Sequence, residues 1–135
     1  MTPGDEIRNL LQRYARAADR RDLDALSGCF HPDAVITGAR GPLDLAAWLA
    51  TMSGPRVFAN SMHLLADPLL DLAEAAETEA LALARADTYA VVFQLGDPAA
   101  DQGDLTLGIR YLDDLVVLDG RWVIAQRSAT TLWMR

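Results

Sequence analysis

The sequence contains no lysine, a single cysteine and only two histidines, and each scarcity excludes a class of chemistry. All 12 cationic residues are arginines, so a Schiff-base lysine and covalent pyridoxal phosphate chemistry are excluded. Cys29 has no partner for an internal disulfide, and its apolar neighbours favour a buried hydrophobic role. With so few potential ligands and no clustered spacing, we expect no metal site and no bound cofactor.

Long apolar runs and clustered positive charge are also missing. The N-terminal segment lacks the apolar stretch of a signal peptide, so we expect a cytoplasmic protein without a membrane partner. The net charge of −7 and the pI near 4.6 argue against nucleic acid as a partner. Glycine-rich nucleotide motifs and the GxSxG pattern of serine hydrolases are absent as well.

The apolar sequence that is present suffices for one core. Of the 135 residues, 51% are hydrophobic and 23% are charged, which is typical of a globular domain. No linker, repeat or low-complexity tract divides the chain. We therefore expect residues 1–135 to form a single domain.

The N-terminal half predicts three helices. Apolar residues recur at helical spacing from Pro3 to Arg20, and Thr2 is placed to cap the first turn. Asp22 can cap a short second helix, which the His-Pro-Asp turn at residues 31–33 ends. A third helix begins near Leu45 and carries its apolar residues toward the core.

The remaining sequence alternates in the manner of β-strands. A brief strand from Ala34 to Thr37 and a turn from Gly38 to Pro42 precede the third helix. From Arg56 to Leu65 the pattern is extended, and His63 lies mid-strand among small and apolar neighbours. The residues from Ala73 to Asp87 have strong helix propensity, but their alternation favours a strand from about Thr78 to Leu95.

A hairpin occupies the C-terminal part of the chain. Asp119-Gly120, between two alternating runs, is a strong signal for a two-residue turn. It predicts that Leu105–Leu118 pairs with the strand from Arg121 to Trp133. In that register Val117 lies opposite Trp122.

The same register predicts which hairpin side chains share a face. Tyr111 would lie opposite Ser128. The other face would carry Arg110, Leu112, Arg127 and Trp133. Helices followed by a long antiparallel sheet give an α+β fold, with the helices packed on one sheet face. A curved sheet of this kind leaves a hollow suited to a small molecule.

His63 and Asp19 are the first candidates for chemistry. From the residues alone, a lone strand histidine is more often a core or pocket-lining residue than a catalyst. Likewise, a carboxylate at a helix end is more often solvated. If the first helix crosses the sheet, however, Asp19 can hold one imidazole nitrogen of His63 and make the other a better base.

Four further residues are candidates for contacts in the hollow. Tyr14 lies on the inward stripe of the first helix, where its hydroxyl either points into the hollow or caps the core. Arg85 and Asp87 lie two apart on one strand face, as a solvated edge pair or, if turned inward, as an oriented acid. Arg127 is a surface arginine by default and an electrostatic clamp if the concave side holds it.

The order of several motifs carries a family resemblance. These motifs are the helix Ile7–Asp19, the segments Arg20–Leu26 and Phe30–Ala34, Ser61-Met62-His63, Arg110-Tyr111-Leu112-Asp113 and Asp119–Ile124. Together they resemble the SnoaL-like domain of the NTF2-like superfamily, over nearly the whole chain. Their combined order is more specific than any single motif.

The resemblance implies a fold and a partner. The family fold is an α+β cone, in which a curved antiparallel sheet wraps on three helices of the N-terminal half around a deep pocket. Many members dimerise through the outer side of the sheet. We therefore expect a homodimer with a pocket for a small apolar or polycyclic organic substrate.

The resemblance also implies residue roles. Scytalone dehydratase and hexachlorocyclohexane dehydrochlorinase use an aspartate at the end of helix one to orient a histidine that removes a proton from carbon. These residues match Asp19 and His63, and they imply a lyase, isomerase or cyclase. The residues expected to bind substrate are Tyr14, Trp48, Arg85, Asp87, Arg127 and Trp133.

Two alternatives stay open at this point. The second histidine of scytalone dehydratase is replaced here by Asp87, and Arg85-Ala86-Asp87 resembles the Arg-x-Asp of limonene epoxide hydrolase. An epoxide hydrolase or an epoxide-opening cyclase that uses Asp87 as base and Arg85 as its partner is therefore one alternative. A non-catalytic small-molecule binding protein is the other, because fold alone does not establish chemistry.

Overall fold

The computed structural model describes residues 1–72 and 83–135. Within these ranges the α-helices are α1 (Pro3–Arg20), α2 (Leu23–Gly28) and α3 (Leu45–Ala50). The strands are β1 (Phe30–Gly38), β2 (Gly41–Asp44), β3 (Asn60–Leu65), β4 (Leu69–Leu72), β5 (Ala84–Leu95), β6 (Leu105–Leu118) and β7 (Arg121–Met134). A short 3-10 helix, Pro98–Ala100, lies between β5 and β6. The predicted α+β class is confirmed.

Local interactions set both ends of α1. The hydroxyl of Thr2 accepts a hydrogen bond from the backbone N–H of Asp5 at 3.1 Å, and the Asp5 carboxylate accepts one from the backbone N–H of Thr2. The helix ends at Arg21, which adopts a left-handed φ of 54°. Its buried face is the predicted stripe of Ile7, Leu10, Leu11, Tyr14, Ala17 and Ala18. Asp19 is therefore delivered at the end of α1, next to the sheet.

The strands form one curved open sheet. Its order is β2-β1-β7-β6-β5-β3, and β4 also pairs with β5. Neighbouring strands are antiparallel except β1 and β7, which are parallel. Strand β3 pairs with β5, and β1 pairs with β7 near the end of the chain. Segments that are distant in sequence therefore line one concave surface.

The helices cover one side of this sheet, which we call the inner face; the other is the outer face. On β5 the inner residues Ala84, Ala86, Thr88, Ala90 and Val92 are buried and alternate with more exposed residues. On the outer face Arg85 and Tyr89 are exposed. None of the described helices has the length and apolar character needed to cross a membrane.

The hairpin register is confirmed near the turn and wrong beyond it. Val117 pairs with Trp122 as predicted. A β-bulge between Asp114 and Leu115 then shifts the pairing by one residue, so Tyr111 lies opposite Ala129 instead of Ser128. The shift turns the side chain of Arg127 onto the inner face with Tyr111, and the predicted placement of Arg127 beside Arg110 is corrected.

Several strand boundaries also differ from the expectation. The strand that carries His63 begins at Asn60 instead of Arg56. The predicted turn from Gly38 to Pro42 is shorter, because β2 already begins at Gly41. Strand β5 is observed from Ala84 to Leu95, and the predicted part from Thr78 to Ala82 lies outside the described residues.

Candidate active site

Asp19 and His63 form a direct pair between α1 and β3. The Oδ1 atom of Asp19 lies 2.6 Å from Nδ1 of His63. Helix α1 supplies the carboxylate at its last turn, and β3 supplies the imidazole from its inner face. The side chains of His63 and Asp19 retain 12% and 19% exposure, so the pair is partly shielded from water yet accessible.

The Asp19 carboxylate is oriented by more than the imidazole. The hydroxyl of Ser61 donates a hydrogen bond to Oδ1 at 3.0 Å. The backbone N–H of His63 donates to the same carboxylate, at 3.0 Å from Oδ2. Arg56 adds a further support, because its Nη1 donates to the carbonyl oxygen of Asp19 at 3.0 Å. The carboxylate therefore has one well-defined position.

This geometry assigns the tautomer of the neutral imidazole. A carboxylate can only accept, so Nδ1 of His63 carries the proton that it donates to Asp19. The other ring nitrogen, Nε2, then has a free lone pair and can act as a base. Once Nε2 has taken a proton, the adjacent carboxylate stabilises the imidazolium charge.

A cluster of aromatic rings adjoins His63 through Tyr14. The ring of Tyr14 meets His63 edge-on, with centroids 6.1 Å apart. Trp48 stacks on Tyr14 at 6.4 Å and packs against Phe30 at 5.1 Å. Tyr111 meets Tyr14 edge-on at 5.9 Å. The imidazole thus borders the ring of Tyr14 and, through it, a wall of largely buried aromatic rings, which gives the dyad apolar surroundings.

Arg127 lies behind this wall as part of a buried ion pair. Its Nε and Nη2 donate to the two carboxylate oxygens of Asp113 at 2.7 and 3.0 Å. The guanidinium carbon lies 4.1 Å from the ring centre of Tyr14 and 4.2 Å from that of Tyr111. Its Nη1 atom is buried and has no hydrogen-bond partner among the described residues.

Charges and burial around Arg127 oppose each other. Burial alone would lower the pKa of its guanidinium, but the Asp113 carboxylate and the neighbouring tyrosines raise that pKa above its ordinary value. Burial also raises the pKa of the Tyr111 hydroxyl. The inner site therefore combines a charged Arg127 with a neutral Tyr111.

Three predicted binding residues lie elsewhere. Arg85 and Asp87 are on the outer face of β5, and they do not pair with each other: Arg85 bonds Asp114 at 3.0 Å, and Arg110 holds Asp87 at 2.6 and 3.0 Å. The hydrogen bond from Arg110 lowers the pKa of Asp87. The ring of Trp133 also covers the outer face, where it overlies Gly108. The structure therefore does not bring these three side chains together with His63.

Four residues that support the site were not predicted from the sequence. Ser61 shares a strand face with His63, so two-residue alternation could have found it. Tyr111 and Asp113 lie in the RYxD motif, which indicated the family fold but assigned no function to these two residues. Arg56 left no signal, because it bonds backbone carbonyl groups, which any residue presents.

A known protein family matches nearly the whole chain. The family model for the SnoaL-like domain matches residues 3–128. The chain belongs to the SnoaL-like family. No curated protein sequence matches it at a significant level. In residues 1–72 and 83–135, no group of three His, Cys, Asp or Glu side chains is placed to hold a metal ion.

Solved structures share the fold of this SnoaL-like chain at low sequence identity. A provisionally assigned scytalone dehydratase from Novosphingobium aromaticivorans is 19% identical, with a TM-score of 0.81 over 97% of this chain and 85% of that one. The type 3 hexachlorocyclohexane dehydrochlorinase of Novosphingobium barchaimii is 14% identical, with a TM-score of 0.75 over 97% and 87%. ActVI-ORFA of Streptomyces coelicolor is 18% identical, with a TM-score of 0.74 over 95% and 96%.

Proposed function

We propose that this SnoaL-like protein is a cofactor-independent lyase, isomerase or cyclase that removes a proton from carbon with the Asp19–His63 dyad. The observation that carries the proposal is the 2.6 Å contact between Asp19 Oδ1 and His63 Nδ1. That contact leaves Nε2 as a base beside aromatic surface. Two structures of the same fold are named as a dehydratase and a dehydrochlorinase, and both names describe elimination.

The proposed step is a proton transfer in which every charge is accounted for. Nε2 of His63 takes the proton from a substrate carbon, and the electron pair of that C–H bond stays on the substrate. In a lyase the pair forms a double bond as the leaving group departs with the electrons of its bond to carbon, and the proton on Nε2 then passes to the leaving group or to water. In an isomerase or cyclase it forms an enolate, which is protonated or attacks elsewhere. Asp19 stabilises the imidazolium throughout.

The proposed substrate is small and largely apolar. The half-buried Trp48 stacks on Tyr14, whose ring meets His63, and aromatic surface near the dyad favours flat or polycyclic carbon skeletons. Arg127 contributes the positive charge nearest to this wall, with one nitrogen that lacks a partner among the described residues. In the proposed complex it stabilises negative charge that develops on an oxygen or a leaving group.

Epoxide opening by Asp87 and Arg85 finds no support in the geometry. Both side chains lie on the outer face, and each is engaged with a residue of β6. Asp87 therefore serves as a matched control for Asp19. Each is an aspartate within a regular element, and each carboxylate accepts hydrogen bonds from a nitrogen-containing side chain.

The test measures proton abstraction directly. Bicyclic aryl ketones, β-hydroxy ketones and a chlorinated cyclohexane are incubated in deuterated water, and NMR follows exchange or elimination at the acidic C–H. With the wild-type protein we expect turnover of at least one compound. His63→Ala should lower that rate by about 100-fold to 10,000-fold, the usual contribution of a positioned base.

Matched variants separate the dyad from other groups that could act as the base. Asp19→Asn should lower the rate by about tenfold or more, since the tautomer is no longer fixed. Asp87→Asn should stay within about twofold of wild type, because its side chain is remote from Nε2. Turnover that survives in His63→Ala would refute the dyad. Binding of the same compounds without turnover, unchanged in His63→Ala, would indicate a carrier instead.

A further inference from the structure

An arginine-lined groove lies outside the site described above. It has a volume of about 380 Å³ and runs between α1, α2 and the start of β7. Arg13, Arg16 and Arg20 line it from α1, and Arg121 lines it from β7. We call these four residues the arginine groove. It shares no lining residue with the Asp19–His63 pair, so it is a separate surface.

The spacing of the arginines brings their charges together. Arg13, Arg16 and Arg20 follow each other at intervals of three and four residues, so they project from one face of α1. Arg121 approaches the same space from the sheet. Like charges at this helical spacing repel each other and slightly destabilise the helix. A bound anion would offset this repulsion.

Among the described residues, no carboxylate forms an ion pair with the groove arginines, and Arg16 donates to the side-chain and backbone oxygens of Gln12, which carry no charge. Four other arginines, Arg8, Arg85, Arg110 and Arg127, each pair with an aspartate. No carboxylate in the described part of the chain lies within 4 Å of the four groove guanidinium groups, although the net charge is −7. Asp22 contributes one negative charge to the lining and caps α2, so the four arginines leave the groove with a net positive charge.

The rest of the lining determines what kind of anion fits. The side chain of Trp122 is half-buried and offers a flat apolar surface, while Ala17 and Cys29 form a buried floor. Burial raises the pKa of the Cys29 thiol, so the floor carries no competing negative charge. Guanidinium groups bind phosphate oxygens in bidentate fashion, and a phosphate dianion has enough oxygens for several such forks.

We propose that the arginine groove is a binding site for a phosphate dianion, either free or as the phosphoryl group of a small organic ester. Arg13, Arg16, Arg20 and Arg121 hold the phosphoryl oxygens. Trp122 packs against the organic part when one is present. The site is independent of the dyad, so its occupancy is measured by binding and not by turnover.

The experiment titrates two probes, inorganic phosphate and 1-naphthyl phosphate, by calorimetry and by amide NMR at low ionic strength. We expect saturable binding with shifts centred on Arg16 and Trp122. Arg13→Gln/Arg121→Gln should weaken binding by about tenfold or more, because each replacement removes a charge-assisted contact. The control Arg40→Gln/Arg135→Gln removes the same charge elsewhere and should stay within about twofold.

The relative affinities of the two probes identify the ligand of the groove. Tighter binding of 1-naphthyl phosphate than of inorganic phosphate identifies an ester site next to Trp122, and equal binding identifies a site for free phosphate. Both support the proposal. Absence of saturable binding to either probe would overturn it. Equal weakening in the two double variants would also overturn it, because attraction would then follow overall charge and not the groove. Thermal unfolding of each variant verifies that it is folded.

Discussion

At the residue scale, Asp19 is the most engaged side chain of the inner site. Its carboxylate accepts hydrogen bonds from the Ser61 hydroxyl, from the backbone N–H of His63 and from the imidazole. A solvated carboxylate at a helix end would have none of these partners. The number of donors that converge on it indicates that its position is specified by the fold.

The buried pair Asp113–Arg127 supplies a stability prediction at the same scale. Asp113→Asn should lower the free energy of unfolding by about 3–5 kcal/mol, because it leaves the Arg127 charge buried without compensation. The neighbouring Asp114 pairs with the exposed Arg85, so Asp114→Asn should cost less than about 1 kcal/mol. Urea unfolding of the two variants measures the difference. Similar losses in both would contradict a structural role for the buried pair.

The pair Asp19–His63 could be predicted from the sequence. The residues that surround this pair could be predicted only in part. The order of motifs indicated both residues, and strand alternation placed His63 and Ser61 on the same face of their strand. The ion pair of Arg127 with Asp113 depends on a register that sequence patterns did not specify. Single residues are predictable when their role follows from local spacing, and they are not when it follows from a bulge elsewhere.

At the scale of elements, the β-bulge in the C-terminal hairpin reorganises the site. The Asp119-Gly120 turn fixed the first pairs, and both residues have the positive φ that such a turn requires, 51° and 77°. Beyond Leu115 the extra residue in β7 reverses the side-chain direction relative to a regular ladder. Alternation alone cannot reveal a bulge, because both faces of the hairpin carry apolar and polar residues.

Strand pairing at the other end of the hairpin gives a second prediction. A side chain added at Gly108 would overlap the indole of Trp133 on the paired strand. Gly108→Ala should therefore lower the free energy of unfolding by about 1–3 kcal/mol. Gly103→Ala is the matched control, because open space surrounds that position. Chemical denaturation compares the two, and a Gly108→Ala variant as stable as the control would contradict the observed packing.

At the scale of the whole molecule, the two sheet faces differ in how they meet solvent. The helices bury the inner face, while the outer face exposes Met62 by 50%, Leu64 by 58% and Tyr89 by 62%. Exposed apolar surface of this extent is unusual for an isolated domain and commonly marks an interface. The α+β class and the layer order could be predicted from sequence because they follow from element order and periodicity alone.

Homodimerisation through the outer face is the prediction at this scale. Sedimentation velocity should give twice the chain mass of 14.7 kDa at micromolar concentration. Leu64→Glu should shift the protein to monomer, because it places a charge in the apolar interface. Val117→Glu, also on an exposed position but near the hairpin turn, should leave the dimer intact. A monomeric wild-type protein would contradict this expectation.

The measurement that tests the Asp19–His63 dyad most directly is imidazole ¹⁵N NMR of His63 at mildly alkaline pH. In the wild-type protein Nδ1 should carry the proton and Nε2 should be free, since the carboxylate only accepts. In Asp19→Asn the two tautomers should mix, whereas Asp22→Asn should leave the spectrum unchanged. Observation of the Nε2–H tautomer in wild type, or the same tautomer ratio in wild type and Asp19→Asn, would contradict the dyad.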